Sequence, residues 1–152
     1  MFGRHVKIAA SVILHTIIGD SPIMPLLRFD LIEGRSEQEL RALLDASHRA
    51  MLAAFRVPEG DRYQIVHEHP PSRMIIEDTG LGIARTRNVV FLQITTRPRS
   101  AEAKAQFYRL LVEALEKDCG IAPSDVVVSM VLNTDADWSF GLGRAQFLTG
   151  EL

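Results

Sequence analysis

The sequence predicts an α/β (α+β) domain built from two tandem βαβ units, whose four strands form a mostly parallel sheet with two helices on one face. Three observations lead there. Hydrophobic periodicity changes from 2 to 3.6 twice in the same order; a helix-start serine stands at each change; and a shift of 64 residues aligns Arg35-Ser36 with Arg99-Ser100 and Val57-Pro-Glu-Gly-Asp61 with Ile121-Ala-Pro-Ser-Asp125. The chain has 152 residues, enough to bury one core without staples.

The first strand is expected from Leu26 to Ile32, with Leu27, Phe29 and Leu31 on one face and Leu26, Arg28 and Asp30 on the other. Ser36, with Glu39 three residues on, forms a capping box, and Leu40, Leu43, Leu44, Ser47, Met51, Leu52 and Phe55 trace the stripe of the first helix. Tyr63 to Glu68 reads as the second strand and Val89 to Thr96 as the third. After Ser100 the second helix carries Phe107, Leu110, Leu111, Ala114 and Leu115 on one face and stops at Gly120. Val126 to Leu132 completes the second unit. The third and fourth strands are apolar on both faces, so the face away from the helices needs a cover, and other subunits are its natural source. Between the units, His67 to Asn88 reads as a connecting loop or edge hairpin with a short strand at Met74 to Ile76. The tail from Asp135 to Leu152 has no helical period and is expected to fold over a neighbouring surface.

Residues 1–24 differ from the rest. A basic start (Arg4, His5, Lys7) and an apolar run interrupted by His15 only superficially suggest a signal peptide, with no small-x-small cleavage site. Met24 precedes Pro25, as a true start would, so residues 1–24 are expected to be a misassigned or removed extension and 25–152 the domain; a genuine extra element is the alternative. The net charge of −2 gives no footprint for nucleic acid, and no run is long enough to span a membrane. The single Cys119 excludes an intrachain disulfide, suits a reducing cytoplasm and reads as a buried structural thiol.

Arg97-Pro98-Arg99 follows the third strand, where strand ends of α/β folds place ligands, and period 2 is expected to send both guanidiniums to one side. Such a pair suits a carboxylate or phosphate, or else a solvated strand end neutralising helix acids. Asp61 opens the second strand and by itself is an ordinary turn residue. His67 and His69 share a strand face, but Pro70 and Pro71 follow and no third ligand is near, so no metal is expected. Asp135-Ala-Asp137 lacks the glycine and distal glutamate of a calcium loop, and Thr79-Gly-Leu-Gly82 lacks phosphate-loop spacing; both read as turns.

Taken together, Pro25-Leu-Leu-Arg-Phe-Asp-Leu-Ile-Glu-Gly-Arg35, Asp61-Arg-Tyr-Gln64, Glu77-Asp-Thr-Gly-Leu-Gly82, Arg97-Pro-Arg-Ser100 and Asp135-Ala-Asp-Trp-Ser-Phe-Gly141 resemble the tautomerase superfamily and, within it, the malonate semialdehyde decarboxylases. The resemblance runs from Pro25 to Leu152. It implies a tautomerase-like fold, an amino-terminal catalytic proline at Pro25, a partner carboxylate at Asp61 and a substrate-carboxylate clamp of Arg97 and Arg99. Trp138, Phe140, Phe147 and Leu152 become the apolar wall of the pocket. The implied protein is a cofactor-independent carboxy-lyase acting on a small carboxylic acid as a homotrimer, without metal, nucleic acid or membrane. Tautomerisation or hydration of a 2-oxo or unsaturated acid is the alternative, and a non-catalytic trimeric binding protein follows if the extension stays attached.

Overall fold

In the first strand, Leu27, Phe29 and Leu31 are buried while Leu26, Arg28 and Asp30 between them are half-buried, so one face is core and the other lies against solvent or a partner. The computed structural model describes residues 24–152, and the expectations for residues 1–23 lie outside them. The described elements are β1 (Leu26–Ile32), α1 (Glu37–Phe55), β2 (Tyr63–His69), β3 (Val90–Thr96), α2 (Ala101–Cys119), β4 (Val126–Leu132) and a short α3 (Gln146–Thr149). The duplication is visible in the bounds, since β1 and β3, and α1 and α2, start and stop 64 residues apart.

Both long helices begin as their sequences require. Ser36 Oγ accepts the Glu39 N–H at 3.2 Å while the Glu39 carboxylate accepts the Ser36 N–H at 2.7 Å, and Ser100 Oγ accepts the Ala103 N–H at 3.1 Å. The second ends at Gly120, whose φ of 64° lets its N–H and that of Ile121 turn back to the last carbonyls. Phe55 and Phe107 stack at 5.2 Å where the helices meet, above Leu27, Phe29, Leu92 and Ile94. Each such side chain, fully buried, contributes about 1.5–3 kcal/mol.

Strand order is β2-β1-β3-β4. The pairings inside each unit, β1 with β2 and β3 with β4, are parallel, but β1 and β3 pair antiparallel. Two of the three pairings are thus parallel, in keeping with the mostly parallel sheet expected, and the antiparallel joint between the units makes it mixed. Each βαβ unit must be parallel internally, whereas the joint between units carries no crossover and leaves strand direction free. Two copies meeting head to tail are related by a pseudo-twofold axis normal to the sheet, which keeps both helices on one face.

One expectation changes. Met74 to Ile76 is no strand: after the Pro70-Pro71 break and a short turn at Pro71–Arg73, Met74 and Ile76 pack with Ile32, Val89 and Phe91 without entering the ladder. The tail turns back over its own sheet end, its Phe140 ring stacking at 6.5 Å on Tyr63. The glycine loop is a turn as expected, because the Asp78 carboxylate accepts the N–H groups of Gly80, Leu81, Gly82 and Ile83, leaving those donors unavailable to an anion. No described helix is long and apolar enough to cross a membrane.

Candidate active site

One end of the sheet gathers most of the chemistry. Leu26 pairs with Tyr63 on one side and Thr95 on the other. Continuing both registers by one residue sets Pro25 level with Arg62 and Thr96, on strands about 4.8 Å away. Asp61 and Arg97 then stand one residue further along at the same end. Pro25 is buried, and behind Met24 its nitrogen is a tertiary amide.

Asp61 closes the turn entering β2, its N–H donating to Pro58 O at 3.0 Å. Its carboxylate makes no hydrogen bond or ion pair among the described residues, and partial burial raises its pKa above the ordinary value. The adjacent Arg62 is spent elsewhere, on Asp45 at 2.5 Å and Gln64 at 2.7 Å. A carboxylate held short of water and of cations is suited to accept a proton or to stabilise a nearby ammonium.

Arg97 and Arg99 separate instead of pointing together. The strand ends at Thr96, and the chain bends at Arg97-Pro98 toward the Ser100 cap, so the alternation of an extended strand no longer applies. Arg97 Nε lies 2.6 Å from Asp135 Oδ1 and its Nη2 2.9 Å from Asp135 Oδ2, with the guanidinium carbon 5.5 Å from the Phe147 ring centroid. Its Nη1 is buried without a hydrogen-bond partner among the described residues. Arg99, 8% exposed, donates from Nη1 to Phe55 O and from Nε to Thr96 Oγ1, both at 3.3 Å, and lies over the Phe55 ring. It thus reaches the carbonyl end of α1.

The expected wall assembles in part. Trp138 stacks on Phe140 at 5.4 Å, and Phe140 meets Phe147 edge-on at 5.0 Å. Leu152, 67% exposed, stays outside this cluster. The indole Nε1 of Trp138 is a second buried donor at this end without a partner. Two residues escaped sequence reasoning. Gln146 clamps the aromatic loop by accepting the Phe140 N–H and donating to Gly141 O, both at 2.9 Å. Asp135, read as a mere turn residue, is the partner of Arg97, and the parallel pairing of β3 with β4 was the signal: residues just beyond two paired strands must meet.

Elsewhere, His69 Nε2 lies 2.6 Å and His67 Nδ1 3.7 Å from Asp30 Oδ1, so the two imidazoles share a carboxylate. Cys119 is half-buried, less so than expected, and burial pushes its thiol pKa up, away from a nucleophile. A cavity of about 340 Å³ beside it lies at the opposite end of the sheet, where the Arg35 guanidinium is committed to Asn88 O and Ile32 O.

A mixed sheet of two βαβ units carrying a proline ahead of its first strand and an arginine at the same end defines a class. Family profiles described as tautomerase enzyme match residues 25–84 and 61–141. The chain belongs to the tautomerase superfamily. It is 63% identical over 129 residues to the probable tautomerase YrdN of Bacillus subtilis (strain 168), covering 85% of this chain and 100% of that protein. The probable tautomerase YusQ of the same strain is 32% identical, with 82% and 99% covered. Among solved structures, a malonate semialdehyde decarboxylase is 58% identical with a TM-score of 0.81, covering 84% of this chain and 98% of its own. FG41 malonate semialdehyde decarboxylase inhibited by 3-bromopropiolate is 41% identical, with a TM-score of 0.79 and coverage of 84% and 97%.

Proposed function

We propose that this chain, with Pro25 as its amino terminus, decarboxylates a small 3-oxo acid, malonate semialdehyde foremost, to acetaldehyde and carbon dioxide. One observation carries the reading: Pro25, the unpaired Asp61 and an Arg97 with a buried, unused N–H share one sheet end beneath an aromatic wall. The 58% identity to a malonate semialdehyde decarboxylase supports the substrate class, and that protein was studied with its amino-terminal proline replaced by alanine. The whole of YrdN matches a stretch of this chain as long as Met24 to Leu152, which supports a start at Met24.

Freed behind Met24, the Pro25 nitrogen becomes a secondary amine titrating near that of a generic amino terminus, about 8. Arg97 holds the carboxylate through its unused N–H so that the breaking C–C bond lines up with the aldehyde π system, and Arg99, packed against Phe55, adds its positive charge at the same end. As the bond breaks, its electron pair moves toward the aldehyde oxygen, where the Pro25 ammonium stabilises the charge by hydrogen bonding, or, if the amine has first condensed with the aldehyde and released water, toward the iminium nitrogen. A proton then returns to carbon, and acetaldehyde leaves directly or, on the iminium route, after water hydrolyses the C=N bond and frees the amine. Asp61 stabilises the ammonium or binds the aldehyde, and Trp138, Phe140 and Phe147 lower the polarity around a carboxylate whose charge disperses in the transition state. This chemistry calls for no metal or organic cofactor. The half-buried sheet face opposite the helices fits a homotrimer, the state of fused 4-OT structures that share this fold, and the single cysteine suits a reducing cytoplasm.

The naming of YrdN as a probable tautomerase favours a second reading, tautomerisation or hydration of a 2-oxo or unsaturated acid with the same residues. Intact-mass analysis of protein from its native transcript, followed by assay of acetaldehyde and carbon dioxide from malonate semialdehyde, separates the cases. A Pro25 terminus with product above background supports the decarboxylase. A Pro25 terminus with only enol conversion selects the second reading, and retention of residues 1–24 removes Pro25 from the chemistry and leaves an acid-binding protein.

A further inference from the structure

We propose that Asp135 is a positioning residue for Arg97, fixing the guanidinium by its side edge so that Nη1 alone meets the substrate carboxylate. This rests on the clamp assigned to Arg97 above. A guanidinium offers donors along a side edge, Nε with Nη2, and at its end, Nη1 with the second Nη2 proton. Asp135 faces the side edge with both oxygens, Oδ2 accepting the Nη2 N–H at 2.9 Å and Oδ1 lying 2.6 Å from Nε, an ion pair that ties the orientation of the group as well as its charge. Phe147 covers one face of the group at 5.5 Å. With an edge and a face occupied, Nη1 is buried and without a partner.

The support behind Asp135 is rigid. Asn133 N–H donates to Thr96 O at 3.0 Å, extending the β3–β4 pairing up to the turn. Asp137 then caps that turn, its Oδ2 accepting the Thr134 N–H at 2.7 Å and the Thr134 hydroxyl at 2.9 Å, while its own N–H donates to Thr134 O at 3.1 Å. The carboxylate of Asp135 is thereby delivered from backbone tied to the strand that carries Arg97. The rival role for the same contact is competition, in which Asp135 occupies the place of the substrate carboxylate and must be displaced.

The two roles give opposite results. Turnover of malonate semialdehyde, or of whichever acid the native-transcript protein converts, is measured for Asp135→Asn, Asp135→Glu, Arg97→Ala and the double variant Arg97→Ala/Asp135→Asn, with thermal midpoints as folding controls. Positioning predicts that Asp135→Asn lowers kcat about 100-fold, the order that a 1 Å misplacement costs, with a small change in KM and partial recovery in Asp135→Glu. In the Arg97→Ala background the second substitution adds nothing. A rise in kcat/KM for Asp135→Asn, or additive losses in the double variant, overturns the inference. Impaired Arg97→Ala beside a fully active Asp135→Asn sinks the positioning role alone, whereas fully active Arg97→Ala sinks the clamp and with it this inference. Nitrogen-15 NMR of the arginine side chains reads the geometry without turnover. Titrated propionate should move the Nη1 signal of Arg97 and leave Nε in place, and an Nε shift matching that caused by Asp135→Asn shows displacement and overturns the proposal.

Discussion

Asp61 and Asp125 occupy equivalent places in the two units and close the same turn, with N–H groups donating to Pro58 O and Ala122 O at 3.0 and 2.9 Å. Their replacement should have opposite consequences. Asp125, 1% exposed, accepts the Thr86 N–H at 2.6 Å and the Thr86 hydroxyl at 2.5 Å. Hydrogen bonds to a charged group are worth about 1.5–3 kcal/mol each, and Asp125→Ala leaves both donors without their acceptor, so the loss is about 3–6 kcal/mol. At about 4 °C per kcal/mol for a domain of this size, the thermal midpoint falls by about 12–24 °C. Asp61 has no such partners, and Asp61→Asn should change stability by no more than about 0.5 kcal/mol while abolishing most turnover. The pH dependence has a definite sign. Burial raises the folded pKa of Asp61 above 3.8, so the stability this group contributes is complete below that value and is lost as pH rises through the raised one. Asp61→Asn therefore matches the wild type in acid and gains on it above. Urea unfolding followed by circular dichroism across this range tests both substitutions. An Asp61→Asn as destabilised as Asp125→Ala, or an Asp125→Ala that unfolds at the wild-type midpoint, refutes the division of labour.

Gln146→Leu removes both bonds that hold the aromatic loop; hydrogen exchange should rise across residues 139–150 but stay unchanged in β1 and β3, with turnover falling. Ile65, 39% exposed on the sheet face opposite the helices, should tolerate aspartate within one chain, so Ile65→Asp is expected to keep its far-UV circular dichroism yet run as a monomer in light scattering. A variant still trimeric would remove this face from the subunit interface.

What the sequence revealed was local. Strand alternation, the Ser36 box and the Gly120 stop act within a few residues of one another, and those elements appear where periodicity places them. Relations between distant segments were less visible. Nothing around Leu26 or Val90 encodes that their strands run antiparallel, because the pairing joins the open edges of two separate units and either direction would satisfy the facing backbone groups. The divergence of Arg97 and Arg99 hinges on the strand ending at Thr96, a one-residue matter that decides which side chain faces which layer. Asp135 was hidden for a similar reason: its partner lies 38 residues away, and its own neighbourhood reads as a turn.

The duplication also explains why a single end of the sheet is equipped. A pseudo-twofold axis makes two equivalent ends, and at the second Val89 replaces Pro25, Glu33 replaces Arg97 and Asp125 replaces Asp61. Val89 lies in mid-chain, joined to Asn88 by an ordinary peptide bond, so no residue there can offer a free amine however the pocket is shaped. Glu33 stands in the place of Arg97, and Arg35, the counterpart of Arg99, is committed to Asn88 O and Ile32 O, so that end has no arginine pair to hold a carboxylate. Its aspartate is then free for structural duty, and it ties Thr86 of the connecting loop to the start of β4. In the proposed enzyme, fusing two units costs the second its terminus and hence its chemistry. By the same logic, the chemistry proposed for the first unit depends on Pro25 standing at its amino terminus.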